Sequence, residues 1–293
     1  MLRGLTGENE IQNDTRQREL TELAAQRPEL ATWLHPLSVS LSALASDGLR
    51  ALVPMCAPAR APHAPMLHEA VLPLDTALMR SHVHAVLTAS LGQRQRTHSE
   101  GIDHLRLLEL AIAQDDAGVT AVANDAQLEP QALNAAAQLA VVPVLIACAH
   151  AVAPQPLNSW PHDYCHVCGA LPALAEVLGL ERTRHLRCGR CGASWQSHVL
   201  LCPFCHERDH AKLGSLVPDG AQGQVVWAET CNSCQGYIKT RAALRGVSAE
   251  SVLIEDARTL ELDLVAVERG YQKPARIGFS ARVRIIPSTG GVS

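Results

Sequence analysis

Four Cys-x-x-Cys pairs follow one another in this chain: Cys165/Cys168, Cys188/Cys191, Cys202/Cys205 and Cys231/Cys234. In a tight turn this spacing aims two sulfurs at one point while backbone amides of the turn bond the thiolates. Two such knuckles complete a tetrahedral four-cysteine site with metal–sulfur distances of about 2.3 Å. The intervals between successive pairs are 19, 10 and 25 residues. The first and last intervals each have room for a β-hairpin; the middle one does not. Sequential pairing follows, with Cys165, Cys168, Cys188 and Cys191 on one ion and Cys202, Cys205, Cys231 and Cys234 on another. A cross-braced arrangement, first pair with third and second with fourth, is the alternative. An all-thiolate tetrahedron accommodates zinc or rubredoxin-type iron, so spacing alone does not choose the metal. With every ligand position filled by protein, neither ion keeps an open site for hydrolysis.

Neighbouring residues fit this reading. Gly169, Gly189 and Gly192 stand just after a ligand, where a knuckle often needs φ > 0. His162, His166, His185, His198, His206 and His210 crowd the same region. With eight cysteines already at ligand spacing, these histidines read as neighbours of the sites or surface residues. Arg182, Arg184, Arg187 and Arg190 read as charges that offset the thiolates or sit in solvent, in preference to a nucleic-acid strip. Cys56 and Cys148 stand alone and read as buried thiols packing as small apolar groups. A thioredoxin-like redox pair wants a βαβ unit, which the sequence does not suggest.

Composition sets the frame. The 293 residues exceed the usual single-domain size, and 47% apolar against 18% charged residues supply a core. A formal charge of −4 advertises neither nucleic acid nor an anionic membrane as partner. Met1 to Arg18 is neither a signal peptide nor a transit sequence, and the continuous apolar run Leu139–Ala149 is too short for a bilayer span of roughly 20 residues. The expectation is a cytoplasmic protein without membrane insertion, where paired cysteines mean metal rather than disulfides.

The fold class expected is α+β and multidomain. Residues 1–159 read as an all-α domain, with Leu30, Leu34, Leu37, Leu41 and Leu44 at helical spacing and Pro130 opening an apolar helix that Pro143 kinks. Pro54, Pro58, Pro62 and Pro65 mark an irregular connection, and Pro154-Gln155-Pro156 a linker. Two rubredoxin- or zinc-ribbon-like modules follow, at 160–200 and 201–246, with strands expected at Ala173–Leu178, Thr183–Arg187, Lys212–Val217 and Gln224–Glu229. Residues 247–293 form a C-terminal segment: a short strand at Ser248–Ile254, a helix capped by Asp256, then a loose tail.

The chain resembles the formate dehydrogenase accessory protein family, FdhE. The residues that carry this are Cys165-His-Val-Cys-Gly-Ala-Leu-Pro, Leu186-Arg-Cys-Gly-Arg-Cys-Gly-Ala-Ser-Trp195 and Glu229-Thr-Cys-Asn-Ser-Cys-Gln-Gly-Tyr-Ile-Lys239. Glu255-Asp256, Leu262-Asp263 and Glu268-Arg-Gly-Tyr271 continue it, and Arg16 through Trp33 echo it more weakly. The resemblance implies a cytosolic, non-enzymatic assembly factor required for active formate dehydrogenase. It implies binding of that enzyme's molybdenum- or tungsten-pterin catalytic subunit before twin-arginine export. It also implies two rubredoxin-like metal sites on the eight cysteines, with iron favoured and zinc as the other option. The first hairpin is a few residues short of the family pattern, and Lys273–Ser293 departs from the family's usual ending. No P-loop, Gly-x-Gly-x-x-Gly or His-Glu-x-x-His occurs, so no catalytic or organic-cofactor residues are assigned. The competing readings are a rubredoxin-like electron carrier and a nucleic-acid-binding zinc ribbon. The second is disfavoured by nine basic against seven acidic residues over 160–245.

Overall fold

The computed structural model describes all residues except 1–2, 58–60, 93–94, 96, 154–155 and 289–293. Pro58, Pro154 and Gln155 of the expected connections lie outside the described residues. The chain divides into two compact units that do not follow chain order. One holds the residues up to Val152 apart from Ala61–Pro65, together with the end of the chain from Ser280; the other holds Ala61–Pro65 and Ala153–Phe279.

The first unit is mainly helical. Helices α1 (Arg3–Gln26), α2 (Ala31–Ser42) and α3 (Asp47–Arg50) are followed by strand β1 (Ala70–Leu74) and helix α4 (Thr76–Ser90). Then come α5 (His104–Ile112), α6 (Asp116–Asp125), α7 (Pro130–Ala140) and α8 (Val142–Val152). The leucine stripe behaves as its spacing requires: Leu34, Leu37 and Leu41 are buried on α2. Acidic caps start the later helices. Asp75, Asp103 and Glu129 each accept hydrogen bonds from two backbone N–H groups of the first turn. Pro130 sits at the start of α7, where its missing N–H costs nothing. The apolar run breaks at Val141 into two helices. Taken together, Pro130–Val152 is long and apolar enough to cross a bilayer, but most of it is buried in the protein, including every residue from Val142 to Ala149.

The expected loose tail does not hold at the chain's end. Val283–Pro287 forms strand β8, paired in parallel with β1 in register Ala70↔Val283 to Leu74↔Pro287. The Ile285 amide also donates to Glu109 on α5 at 2.9 Å, and the Ser288 amide to Leu74 O at 2.8 Å.

The second unit is built on one six-stranded sheet. In chain order its strands are β2 (Pro172–Leu178), β3 (Thr183–Cys188), β4 (Ser194–Gln196), β5 (Leu213–Leu216), β6 (Val226–Cys231) and β7 (Tyr237–Ala243). In space the order is β4-β3-β2-β7-β6-β5. All pairings are antiparallel except β2 with β7, which is parallel. The two expected ribbons are thus fused edge to edge. The four expected strands correspond to β2, β3, β5 and β6.

Beyond the sheet the Ser248–Ile254 strand is replaced by a turn and helix α9 (Val252–Arg258), with Asp256 inside it rather than at its cap. Helix α10 (Leu260–Glu268) follows and packs Leu262 and Ala266 on Ala228 and Tyr237. Burying such a leucine contributes roughly 1.5–3 kcal/mol.

At the β2/β7 junction Glu176 is fully buried and carries a carboxylate among cations. Arg187 and Arg241 both pair with it, the latter at 3.1 Å, and the Val247 amide donates to it at 3.0 Å. Neutralising Glu176 leaves Arg187 buried without its counter-charge, a situation that costs about 3–5 kcal/mol. Glu176→Gln is expected to lower the urea midpoint of the full chain accordingly, and an unchanged midpoint would show that the junction tolerates an unbalanced arginine.

In the first unit, burial holds the His82 imidazole below its ordinary 6.5, outweighing the raising effect of its 2.8 Å bond to Ala140 O. The unfolded chain therefore takes up the proton first as pH falls. Stability tied to His82 is present above about pH 6.5 and is lost on acidification below it. Denaturant titrations should show a shallower decline in this range for His82→Gln than for the parent chain.

Candidate metal centre

Each cysteine pair sits where a strand meets a turn. Cys165 and Cys168 precede β2, Cys188 ends β3, and Cys191 lies in the turn to β4. Cys202 and Cys205 occupy a separate turn, Cys231 ends β6, and Cys234 lies in the turn to β7. The structure gathers them in sequential order. Cys165, Cys168, Cys188 and Cys191 form one cluster, and Cys202, Cys205, Cys231 and Cys234 the other, with all four sulfurs in each within 4.8 Å of one another. The cross-braced alternative is not formed. Neither cluster includes a histidine.

The spacing of the sulfurs tests whether an ion fits. Cys165–Cys191 and Cys168–Cys188 are 3.5 Å apart, and Cys202–Cys234 and Cys205–Cys231 are 3.7 Å apart. A tetrahedron of thiolates about 2.3 Å from a central ion has edges of about 3.8 Å. A disulfide would need about 2.05 Å. The donor set and its dimensions therefore fit a tetrahedral thiolate-bound ion at each cluster.

The knuckles repeat one backbone device. The amide of the residue after the second cysteine donates to the carbonyl of the first in three of them: Gly169 to Cys165 (2.9 Å), Gly192 to Cys188 (3.0 Å) and His206 to Cys202 (3.1 Å). That residue has positive φ in all four turns, at Gly169 (82°), Gly192 (69°), His206 (60°) and Gln235 (57°). In addition Val167 N and Arg190 N approach the sulfurs of Cys165 and Cys188 at 3.4 Å. Gly189 does not share the left-handed backbone expected of it. Its lack of a side chain serves packing, since a Cβ there would lie 2.7 Å from that of Ala173.

Burial dominates the electrostatics of the first cluster. It pushes the Cys165 and Cys191 thiols well up. Burial also works to raise Cys188, but hydrogen bonds from Cys165, Cys168 and Cys191 pull it well below the ordinary thiol value. In the second cluster burial raises Cys234 to about 11. The raised thiols Cys165, Cys191 and Cys234 give up their protons when a cation competes for the sulfur, so uptake of an ion releases protons.

Of the four arginines, Arg182 is exposed as expected, but two others act differently. Arg184 and Arg187 are buried in ion pairs, with Glu229 (2.7 Å) and Glu176, rather than solvated. Arg187 also donates to Gly192 O at 3.0 Å, which braces the second knuckle. His166 is buried with its ring edge-on to Trp160 and Trp195. Of the isolated cysteines, Cys148 is fully buried, whereas Cys56 is half-buried.

Sequence reasoning gave no role to Glu207, yet it ties the two knuckles of the second cluster together. It accepts from Ser233 (2.6 Å), Lys212 (3.2 Å) and the amides of Arg208 and Asp209 (3.0 Å each), and these bonds pull its carboxyl down to about 2. The motif residues Tyr237 and Lys239 also acquire a purpose. They donate to Asp263 on α10 at 2.7 and 2.5 Å, and Lys239 contacts the Asp256 carboxylate at 2.9 Å. Only the ordered motif itself signalled them.

A helical unit and a six-stranded sheet bearing two complete four-cysteine clusters define a double-ribbon protein with two candidate metal sites. Residues 200–278 match the family model described as FdhE, C-terminal domain. An FdhE homolog of Pseudomonas aeruginosa is 36% identical over 112 residues, covering 36% of each chain. One from Haemophilus influenzae is 30% identical over 112 residues, 38% of this chain and 36% of that one. One from Aquifex aeolicus is 29% identical over 120 residues, 40% of this chain and 41% of that one. The matched stretches thus span only about two fifths or less of these relatives. The crystal structure of the FdhE protein from P. aeruginosa shares the fold, with TM-score 0.57 and 22% identity over 91% of this chain and 94% of that one. Together these findings show an FdhE C-terminal-domain match at residues 200–278 and the FdhE fold over most of the chain.

If both clusters bind as their geometry allows, the purified chain should carry two ions. Cys188→Ser and Cys231→Ser should each reduce metal content by one ion per chain, measured by elemental analysis. Retention of both ions in either variant would refute the four-cysteine assignment.

Proposed function

We propose that this chain is a cytoplasmic accessory factor for formate dehydrogenase, acting as a binding protein in the maturation of the enzyme's molybdo- or tungsto-pterin catalytic subunit before export. The observation that carries this reading is the match of residues 200–278 to the FdhE C-terminal domain, a span that contains the whole second cysteine cluster. The domain expectations accompany it: a helical domain over 1–159, four-cysteine ribbons over 160–200 and 201–246, and a C-terminal segment over 247–293. The eight cysteines Cys165, Cys168, Cys188, Cys191, Cys202, Cys205, Cys231 and Cys234 serve as ligands of two ions, iron in the rubredoxin manner, with zinc as the competing occupant. Action by binding rather than catalysis is supported by the completeness of both donor sets, which leave no position for substrate. In this role the ions fix the shape of the sheet that meets the partner.

The test is capture. The tagged full chain is co-expressed with a formate dehydrogenase catalytic subunit, purified anaerobically, and examined for co-elution, metal content and visible spectrum. Retention of the subunit, lost in Cys188→Ser and Cys231→Ser, is the expected result. Failure to retain it, with both ions in place, would overturn the accessory role. A reversible iron couple without capture would instead favour the electron carrier.

A further inference from the structure

The two clusters are the same in donor set and nearly the same in dimension, but not in access. Cys165, Cys168, Cys188 and Cys191 are each 0% exposed. In the second cluster Cys202 and Cys231 are 3% and 2% exposed, but Cys205 is exposed and Cys234 half-buried. One residue of this outward pair comes from each knuckle of the second cluster.

The packing around the clusters differs in the same sense. Backbone closes on both knuckles of the first. The Phe279 amide donates to Gly169 O at 2.8 Å, a Cβ on Gly169 would lie 2.2 Å from Phe279 O, and one on Gly192 would lie 2.4 Å from Ala249 Cα. Arg187 spans to Gly192 O and Trp195 is buried. The second cluster instead adjoins a cavity of about 370 Å³ that has Cys202, Cys231, Phe204, Trp227 and Tyr237 in its wall. It therefore faces open space on the cavity side as well as solvent at Cys205.

Building on the reading that both clusters hold an ion, we infer that the second is an exchangeable metal site and the first a permanent one. Exchange at a four-thiolate site proceeds by ligand substitution. An incoming nitrogen or sulfur donor bonds the ion while metal–cysteine bonds break one by one, and the freed thiolates take protons from water. No electrons move. Substitution needs a path for the incoming donor. At Cys205 and Cys234 that path exists in the folded protein. At the first cluster it requires local unfolding of the knuckles, which is rare in a well-packed region. Accessible thiolates are also the ones that react with external reagents. The second site thus serves for loading and release of an ion, and the first for holding the sheet.

The test uses the full chain loaded with zinc, its content fixed by elemental analysis before any reagent is added. Excess 4-(2-pyridylazo)resorcinol is added under native conditions and release is followed by absorbance. The expected result is two phases of one ion each, the first at least about tenfold faster than the second. N-ethylmaleimide added after the first phase, followed by peptide mass mapping, should label Cys202, Cys205, Cys231 and Cys234 and leave Cys165, Cys168, Cys188 and Cys191 unlabelled. Cys205→Ser should abolish the fast phase without touching the slow one. If that variant fails to fold, the labelling of the parent chain decides alone. Release in one phase, or earlier labelling of the first cluster, would overturn the inference. A starting content below two ions would instead overturn the reading on which it rests.

Discussion

The parallel pairing of β2 with β7 is the constraint on which the second unit depends. Each of these strands belongs to one cysteine hairpin, and their register, Leu174↔Lys239 to Leu178↔Ala243, makes a single sheet of two four-cysteine ribbons. A parallel contact has no turn of its own to set it. Here Glu176 does that work, lying on β2 opposite Arg241 of β7 and pairing also with Arg187 of β3. A one-residue slip would turn the carboxylate to the other face and leave the arginines unmatched. Buried ion pairs add little net stability, because desolvation consumes the attraction, but a wrong pairing is heavily penalised. Register is accordingly what this network secures.

What the sequence made legible was local. The cysteine spacing gave both clusters, because two residues between ligands determine a knuckle without help from elsewhere. The leucines of α2 and the hairpin of β2 and β3 were readable for the same reason. Strand β7 was not. Tyr237, Ile238, Lys239 and Thr240 are all buried, so no alternation survives, and the lysine disguises an interior strand. Its partners, Asp256 and Asp263, lie in helices 17 and 24 residues further along the chain. Strand β8 was hidden similarly, since its complement β1 lies some two hundred residues earlier. Long-range pairing leaves no local trace.

The same distinction explains why the motif beyond the cysteines is so particular. Glu229, two strand positions before Cys231 of the second cluster, receives Arg184 from the first hairpin, while Tyr237 and Lys239 donate to Asp263 of α10. Cysteines alone would build two ribbons of any kind. The acid at 229 and the Tyr-Ile-Lys run add the contacts that attach one ribbon to its neighbour and to its covering helix. A sequence pattern that keeps these residues in order around the knuckle therefore encodes the assembly of the sheet, whereas Cys-x-x-Cys encodes only its ends.

The residue after each second cysteine shows how packing, rather than metal geometry, chose the side chain. All four positions take the left-handed conformation, which costs a non-glycine residue roughly 1–2 kcal/mol. Glycine removes that cost everywhere, yet it occurs only in the first cluster. There Gly169 and Gly192 are pressed by the backbone of Phe279 and Ala249, and no Cβ fits. In the second cluster His206 and Gln235 point into solvent, so the strain is tolerable and a side chain is free to be present. Gln235 uses its chain to donate to Asn232 O at 2.8 Å, closing the knuckle from outside. One turn geometry is thus executed twice under enclosure and twice in the open, and the glycines record which cluster was built to be sealed.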